Sequence, residues 1–242
     1  MQVFAKIKSV KGLENIDAIL KCADGVALQR GHLSLDLGFK HLHFIQQHIL
    51  KKCRAESKIL ALPTRVRETG LKGATPLLNE VNDIIQAVAS GIDCLVLSHE
   101  TAVGDFFEES IYLCRKIVEE AERQIDYQRQ HMEQQKSLIE FKKMRVQAIM
   151  EKVQKGQIHT LNYNPEQWNK DECISSCSVK ASFDVNAKLI VVLTHSGNTA
   201  IRVRTHQPKA TIIAVTQNES TVQRLTVVAG VYPFLVGSIL GQ

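Results

Sequence analysis

In residues 25–37, GVALQRGHLSLDL, an apolar run that reads as a strand breaks at Arg30-Gly31-His32, and helical spacing resumes beyond it. Strand, glycine turn and helix is the layout in which α/β proteins hold phosphate or metal at a strand's carboxyl end. Such a corner usually carries a carboxylate just after the glycine. Here an imidazole, His32, stands there.

The same alternation extends on both sides. Strand-like runs fall at 3–7 (VFAKI), 25–29 (GVALQ), 58–63 (KILALP) and 93–98 (DCLVLS). Helical patterns separate them: NIDAILKC, then FKHLHFIQQHILKKC, then LLNEVNDIIQAVASG, which Thr75 would cap with Pro76 at the first helical position. Alternating β and α units imply a parallel sheet with right-handed crossovers. From about 106 to 155 the pattern stays helical and polar. Residues 129–155 are strongly basic, with an apolar stripe of Ile139, Val146, Ile149, Met150 and Val153. This stretch reads as a solvated helix packing one face, or as a partner-binding or membrane-surface helix. After the polar linker NYNPEQWNKDE a second α/β pattern begins, with a helix near 171–185 and strands KLIVVLT, TIIAVT and GVYPFLVG.

The 242 residues allow one barrel-sized domain or two smaller ones, and 44% hydrophobic content suffices for a packed core. A net charge of +5 falls short of a nucleic-acid footprint. No run of about 18 apolar residues suggests a membrane span. MQVFAKIKSVKG lacks a signal peptide's apolar core and starts in a strand-like pattern, as if mid-fold. The six cysteines include no C-x-x-C pair, which fits a reducing, cytoplasmic compartment. His41, His43 and His48 lack an acidic or Cys partner and read as a solvated helix face.

The chemistry-bearing residues cluster at strand ends. Period two places Lys6 and Lys8 on one face of the first strand. Thr64 ends the third strand, and Ser98, Glu100 and Thr101 follow the fourth. All would meet at the carboxyl mouth of a barrel.

Taken in order, AKIKSVKGLENIDAIL, DGVALQRGHL, the Thr64 segment, GIDCLVLSHETAVGD and VVLTHSGNTA resemble pyruvate kinase along most of the chain, the 129–165 region excepted. The resemblance implies an α/β fold: a partial TIM (β/α)8 barrel of about four βα units, then a partial α/β C-terminal domain. The implied boundaries are 1–128, a basic helical linker at 129–165, and 166–242. The first barrel half, the lid domain and the final C-terminal strands would lie outside this chain. The open sheet edges of a half-barrel favour self-pairing or a partner.

The implied activity is glycolytic phosphoryl transfer from phosphoenolpyruvate to ADP with magnesium and potassium. The family lysine that supports the transferring phosphoryl group is kept as Lys6, the substrate-contacting threonine as Thr64, and the Arg-Gly turn as Arg30-Gly31. The family's magnesium ligands are a glutamate two residues after that lysine and an aspartate after that glycine. This chain has Lys8 and His32. An ammonium cannot ligate a cation, and Mg²⁺ wants hard oxygen ligands rather than imidazole. Phosphoryl transfer depends on metal neutralisation, so the resemblance implies a lost magnesium site and a strongly impaired enzyme or pseudoenzyme. The alternative is a non-catalytic relative that associates with full-length pyruvate kinase.

Two binding expectations remain. Lys6, Lys8, Arg30 and His32 would form a cationic cluster without a counter-carboxylate, a weak metal-independent anion site or a vestigial one. The loop Thr194-His195-Ser196-Gly197-Asn198-Thr199 matches the family loop that receives an effector phosphate, through Thr194, Ser196, Gly197, Asn198 and Thr199. On its own residues it is equally an ordinary capped strand-to-helix turn.

Overall fold

The structure, a computed structural model, describes residues 2–64, 77–154 and 170–237. It divides into two compact units, residues 1–125 with 227–229, and residues 126–226 with 230–242.

In the first unit strands and helices alternate. The order is β1 (Phe4–Ile7), α1 (Val10–Glu14), α2 (Ile16–Cys22), β2 (Gly25–Leu28), α3 (Arg30–Leu37), a 3-10 turn (Phe39–His41), α4 (Leu42–Ala55), β3 (Ile59–Thr64), α5 (Leu78–Ala89), β4 (Cys94–Leu97), α6 (His99–Val103) and α7 (Phe107–Gln124). The strands form one parallel sheet in the order β1-β2-β3-β4, so each chain-adjacent pair is joined by a helical crossover. Ser9 Oγ accepts the Gly12 N–H to cap α1. Asp24 and Asp93, each just before a strand, accept the backbone N–H groups of Val3 and Leu60.

Side chains on one sheet face build the core. Ile7, Val26, Leu28, Leu60 and Leu62 are buried against Ile16, Leu20, Leu33, Ile49, Leu50 and Cys53 of the helices. The other face carries Lys6, Ala27, Ala61 and Cys94 in one register row, and Pro63 beside Val96 in the next. Gly25 fits here because the Phe4 ring lies across it; a Cβ there would fall 2.5 Å from that ring.

The second unit comprises α8 (Tyr127–Gln154), α9 (Lys170–Asp184), β5 (Leu189–Leu193), α10 (Asn198–Thr205), β6 (Thr211–Thr216), α11 (Glu219–Leu225) and β7 (Val231–Leu235). The strands again form a parallel sheet, β5-β6-β7. Val192, Ile212 and Ala214 are buried, as are Val179, Ala200, Val203 and Leu225 of the helices. On the opposite face Leu189, Val191, Leu193, Tyr232 and Phe234 stand exposed.

Three expectations change. The fifty-residue helical stretch is two helices, interrupted where Ile125 turns to an extended conformation and Asp126 accepts the Arg129 N–H through its side chain. In the basic stripe Ile139 is exposed and the neighbouring Leu138 is buried; Val146, Ile149, Met150 and Val153 lie outside the described side chains. Arg30-Gly31 is no turn: α3 opens at Arg30, and Gly31 is not among the positive-φ glycines. The proposed cap Thr75-Pro76 lies outside the described residues; α5 begins at Leu78, with the Glu80 carboxylate accepting the Leu77 N–H.

Candidate functional site

The carboxyl ends of β1 to β4 open into a cavity of about 1070 Å³. Lys6 reaches it from β1, Arg30 and Gly31 from the first turn of α3, Thr64 from the end of β3, and Ser98-His99 from beyond β4. Period two aims Lys6 at this space because its neighbour Ile7 points into the core. Thr64 is fully buried, set there by the last step of β3.

An ion pair absent from the sequence reading organises the floor. Arg30 holds Asp83 of α5 with two parallel contacts, Nη1 to Oδ1 and Nη2 to Oδ2, each 2.5 Å. Thr64 Oγ1 donates to the same Oδ2 at 3.2 Å. The guanidinium also donates to Pro63 O and Gln46 Oε1. Its fork geometry suits a carboxylate bidentately, and this pairing fixes Arg30 against the end of β3. Higher on the wall Gln86 Nε2 meets His43 Nδ1 at 3.2 Å. Ser98 Oγ and Gln29 Oε1 are buried atoms without a hydrogen-bond partner among the described residues, and both residues line the cavity.

The second unit holds the other candidate. Between β5 and α10, Gly197 sits in the left-handed region at φ 84°, a conformation glycine adopts without strain. The buried Thr194 Oγ1 accepts the Gly197 N–H at 2.9 Å. His195 O accepts the Thr221 hydroxyl, and Arg224 Nη1 donates to Ser196 O and Asn198 Oδ1, both at 3.0 Å. The loop is therefore braced from α11. A Cβ on Gly197 would come within 3.1 Å of Leu225.

Comparison with known proteins bears on both sites. The family model "Pyruvate kinase, barrel domain" matches residues 1–111, and "Pyruvate kinase, alpha/beta domain" matches residues 172–240. The chain belongs to the pyruvate kinase family. It is 31% identical over 235 residues to a pyruvate kinase of Clostridium acetobutylicum, covering 97% of this chain and 44% of that one. It is 32% identical over 244 residues to that of Dictyostelium discoideum, covering 100% and 43%. The crystal structure of a Cryptosporidium parvum pyruvate kinase superposes with a TM-score of 0.82 at 28% identity, covering 98% of this chain and 43% of that chain. The chain thus spans less than half the length of the relatives it matches.

Of the residues singled out from this pyruvate kinase family sequence, Lys6, Arg30, Gly31 and Thr64 line one cavity. Lys8 and His32 do not; both are exposed, His32 on the outer side of the first turn of α3. The anticipated cluster of four unopposed cations is therefore corrected. Two of its members share the cavity, and one of those, Arg30, has a counter-carboxylate in Asp83. Among the described residues no group of three or more His, Cys, Asp or Glu is arranged to hold a metal ion. The Glu100 side chain lies outside the description, and His99 lines the cavity. Asp83 was missed although a signal existed: it follows Glu80 by three residues in NEVNDIIQ, placing both carboxylates on one helix face. None of the described helices is long and apolar enough to cross a membrane.

Proposed function

We propose that this chain carries four βα units of a pyruvate kinase barrel (1–128), a basic helical connection (129–165) and part of the family's α/β domain (166–242). In it, phosphoryl transfer from phosphoenolpyruvate to ADP is lost or strongly impaired. A relative whose structure is described as a Cryptosporidium parvum pyruvate kinase in complex with ADP supports a nucleotide-handling ancestry. Lys6 and Thr64 take the catalytic places: Lys6 offers a positive charge to a phosphoryl or enolate oxygen, and Thr64 offers a hydroxyl. Arg30 and Gly31 position the substrate side of the cavity.

The observation that carries the impairment is the metal corner. The family's magnesium carboxylates correspond to Lys8 and His32, and neither lines the cavity. Magnesium takes oxygen ligands in a tight octahedral shell, and the two carboxylates nearest at hand are committed elsewhere. Asp83 is held by Arg30 and Thr64, and Glu80 accepts the Leu77 N–H. These residues do not fit the cation. The purified chain given phosphoenolpyruvate, ADP, Mg²⁺ and K⁺ is expected to produce no pyruvate above background. A robust magnesium-dependent rate overturns this reading.

A second reading, a non-catalytic chain that associates with another copy or with a full-length relative in the cytoplasm, is supported by the exposed apolar sheet face of Leu189, Val191, Leu193, Tyr232 and Phe234. Contiguous exposed apolar surface of this kind marks interaction sites. In the same unit the Thr194–Thr199 loop would receive an effector phosphate on Thr194, Ser196, Gly197, Asn198 and Thr199. Titration with a sugar bisphosphate tests it.

A further inference from the structure

We propose that Cys173 and Cys177 of α9 form a vicinal dithiol that captures a trivalent arsenical in a two-sulfur chelate. The two residues lie four apart in a regular helix and so stack on one face. Both are free and exposed. The opposite face of α9 is anchored: Ser175, Val179 and Ser182 are buried, Gln135 donates to Ser176 Oγ at 2.9 Å, and Asp171 pairs with Arg202. The dithiol is thus presented to solvent on a fixed support. The neighbouring Cys177 charge is the main influence pushing the Cys173 thiol above its ordinary range, as expected for two sulfurs one helical turn apart.

The spacing selects the ligand. Residues four apart on a helix have Cβ atoms about 5–6 Å apart. A direct disulfide wants them at about 3.5–4.5 Å, so oxidation to one would have to bend α9. A single atom inserted between the sulfurs removes that mismatch. Zinc structural sites use four ligands, and no group of three or more ligating side chains occurs among the described residues. A trivalent organoarsenic oxide, R–As=O, needs only two thiols. Two S–As bonds form, the As=O bond breaks, and the oxygen leaves as water with the two thiol protons. Arsenic stays trivalent, so no oxidant or reductant is required.

The remaining cysteines offer internal controls. Burial pushes the Cys53 thiol up to about 12 and raises those of Cys94 and Cys114, while Cys22 is exposed. The full chain is treated with phenylarsine oxide, challenged with excess monothiol or with dithiol, and weighed by intact mass spectrometry. One adduct per chain is expected to survive monothiol and to be stripped by dithiol. In Cys173→Ser and in Cys177→Ser retention should fall about 100-fold, the loss that follows from breaking a two-point attachment. Cys22→Ser should retain it, and circular dichroism should confirm that each variant is folded. A monothiol-resistant adduct at full stoichiometry in either serine variant overturns the proposal. So does a wild-type adduct mapping to a peptide that lacks either cysteine.

Discussion

Arg30 and Asp83, fifty-three residues apart in the chain, grip each other through two 2.5 Å contacts at the mouth of the parallel sheet, with Thr64 joined to the same carboxylate. The pair ties the start of α3 to the middle of α5 and closes the floor of the cavity. Charged hydrogen bonds of this partly buried type contribute about 1.5–3 kcal/mol. Asp83→Asn is therefore expected to lower the unfolding free energy by about 1–3 kcal/mol. In a double-mutant cycle with Arg30→Gln, urea denaturation should return a coupling energy of at least ~1 kcal/mol; coupling near zero would show the contact to be incidental.

The same pair predicts how the cavity treats anions. With Asp83 neutralised, Arg30 and Lys6 face the cavity with one opposing charge fewer. Phosphoenolpyruvate binding to Asp83→Asn, followed calorimetrically without metal, should be tighter than to the wild-type chain by roughly tenfold, about 1.4 kcal/mol. Equal affinity, or weaker binding by the variant, would mean that Arg30 is not available to ligand from this side.

Much of the scaffold could be read from residues alone, because its signals are local. GVAL, ILALPT and TIIAVT are short apolar runs bounded by breakers, and all three became strands at or next to the expected limits. LTHSGNTA marked the strand-to-helix loop before α10, whereas LSHETAVGD carries the short helix α6 at His99–Val103. What escaped depended on tertiary approach. Nothing in RGHLS says that Arg30 will meet a carboxylate on the helix of the next crossover, and the Glu80/Asp83 pair in NEVNDIIQ reads on its own as a solvated helix face. Period two sent Lys6 to the cavity side, but it placed Lys8 on the same face, and Lys8 lies past the last residue of β1 and does not line the cavity. The break at Ile125 was equally hidden, since IDYQR is as helix-compatible as its flanks until Asp126 is free to cap.

Gly25 offers a test of the sheet face that carries Lys6. A Cβ there meets the Phe4 ring at 2.5 Å and Ile59 O at 2.8 Å. Gly25→Val should cost more than ~2 kcal/mol by overpacking. Adding Phe4→Leu relieves the ring contact but not the backbone carbonyl, so rescue in thermal or urea melts should be partial. Full rescue would show that β2 can move away from β3, and no rescue at all that the carbonyl contact alone sets the cost.

Cys53 supplies the pH dependence. It is buried between α4 and the sheet, and burial first, then the Asp93 charge, pushes its thiol up to about 12. A thiol whose pKa is higher folded than unfolded keeps its proton in the native state while the unfolded chain releases it. Stability from this source is full below the unfolded pKa near 9 and declines as pH rises toward 12. The slope contributed by one such group is at most about 1.4 kcal/mol per pH unit. Cys53→Ala should be less stable than wild type at pH 7, by about 1–2 kcal/mol for a small cavity in the core. Because alanine does not titrate, that gap should close above pH 9 and reverse by about pH 11 in parallel urea titrations. A gap that stays constant across this range would mean that Cys53 ionises as readily in the folded protein as in the unfolded chain, and that its burial in the core imposes no charge penalty.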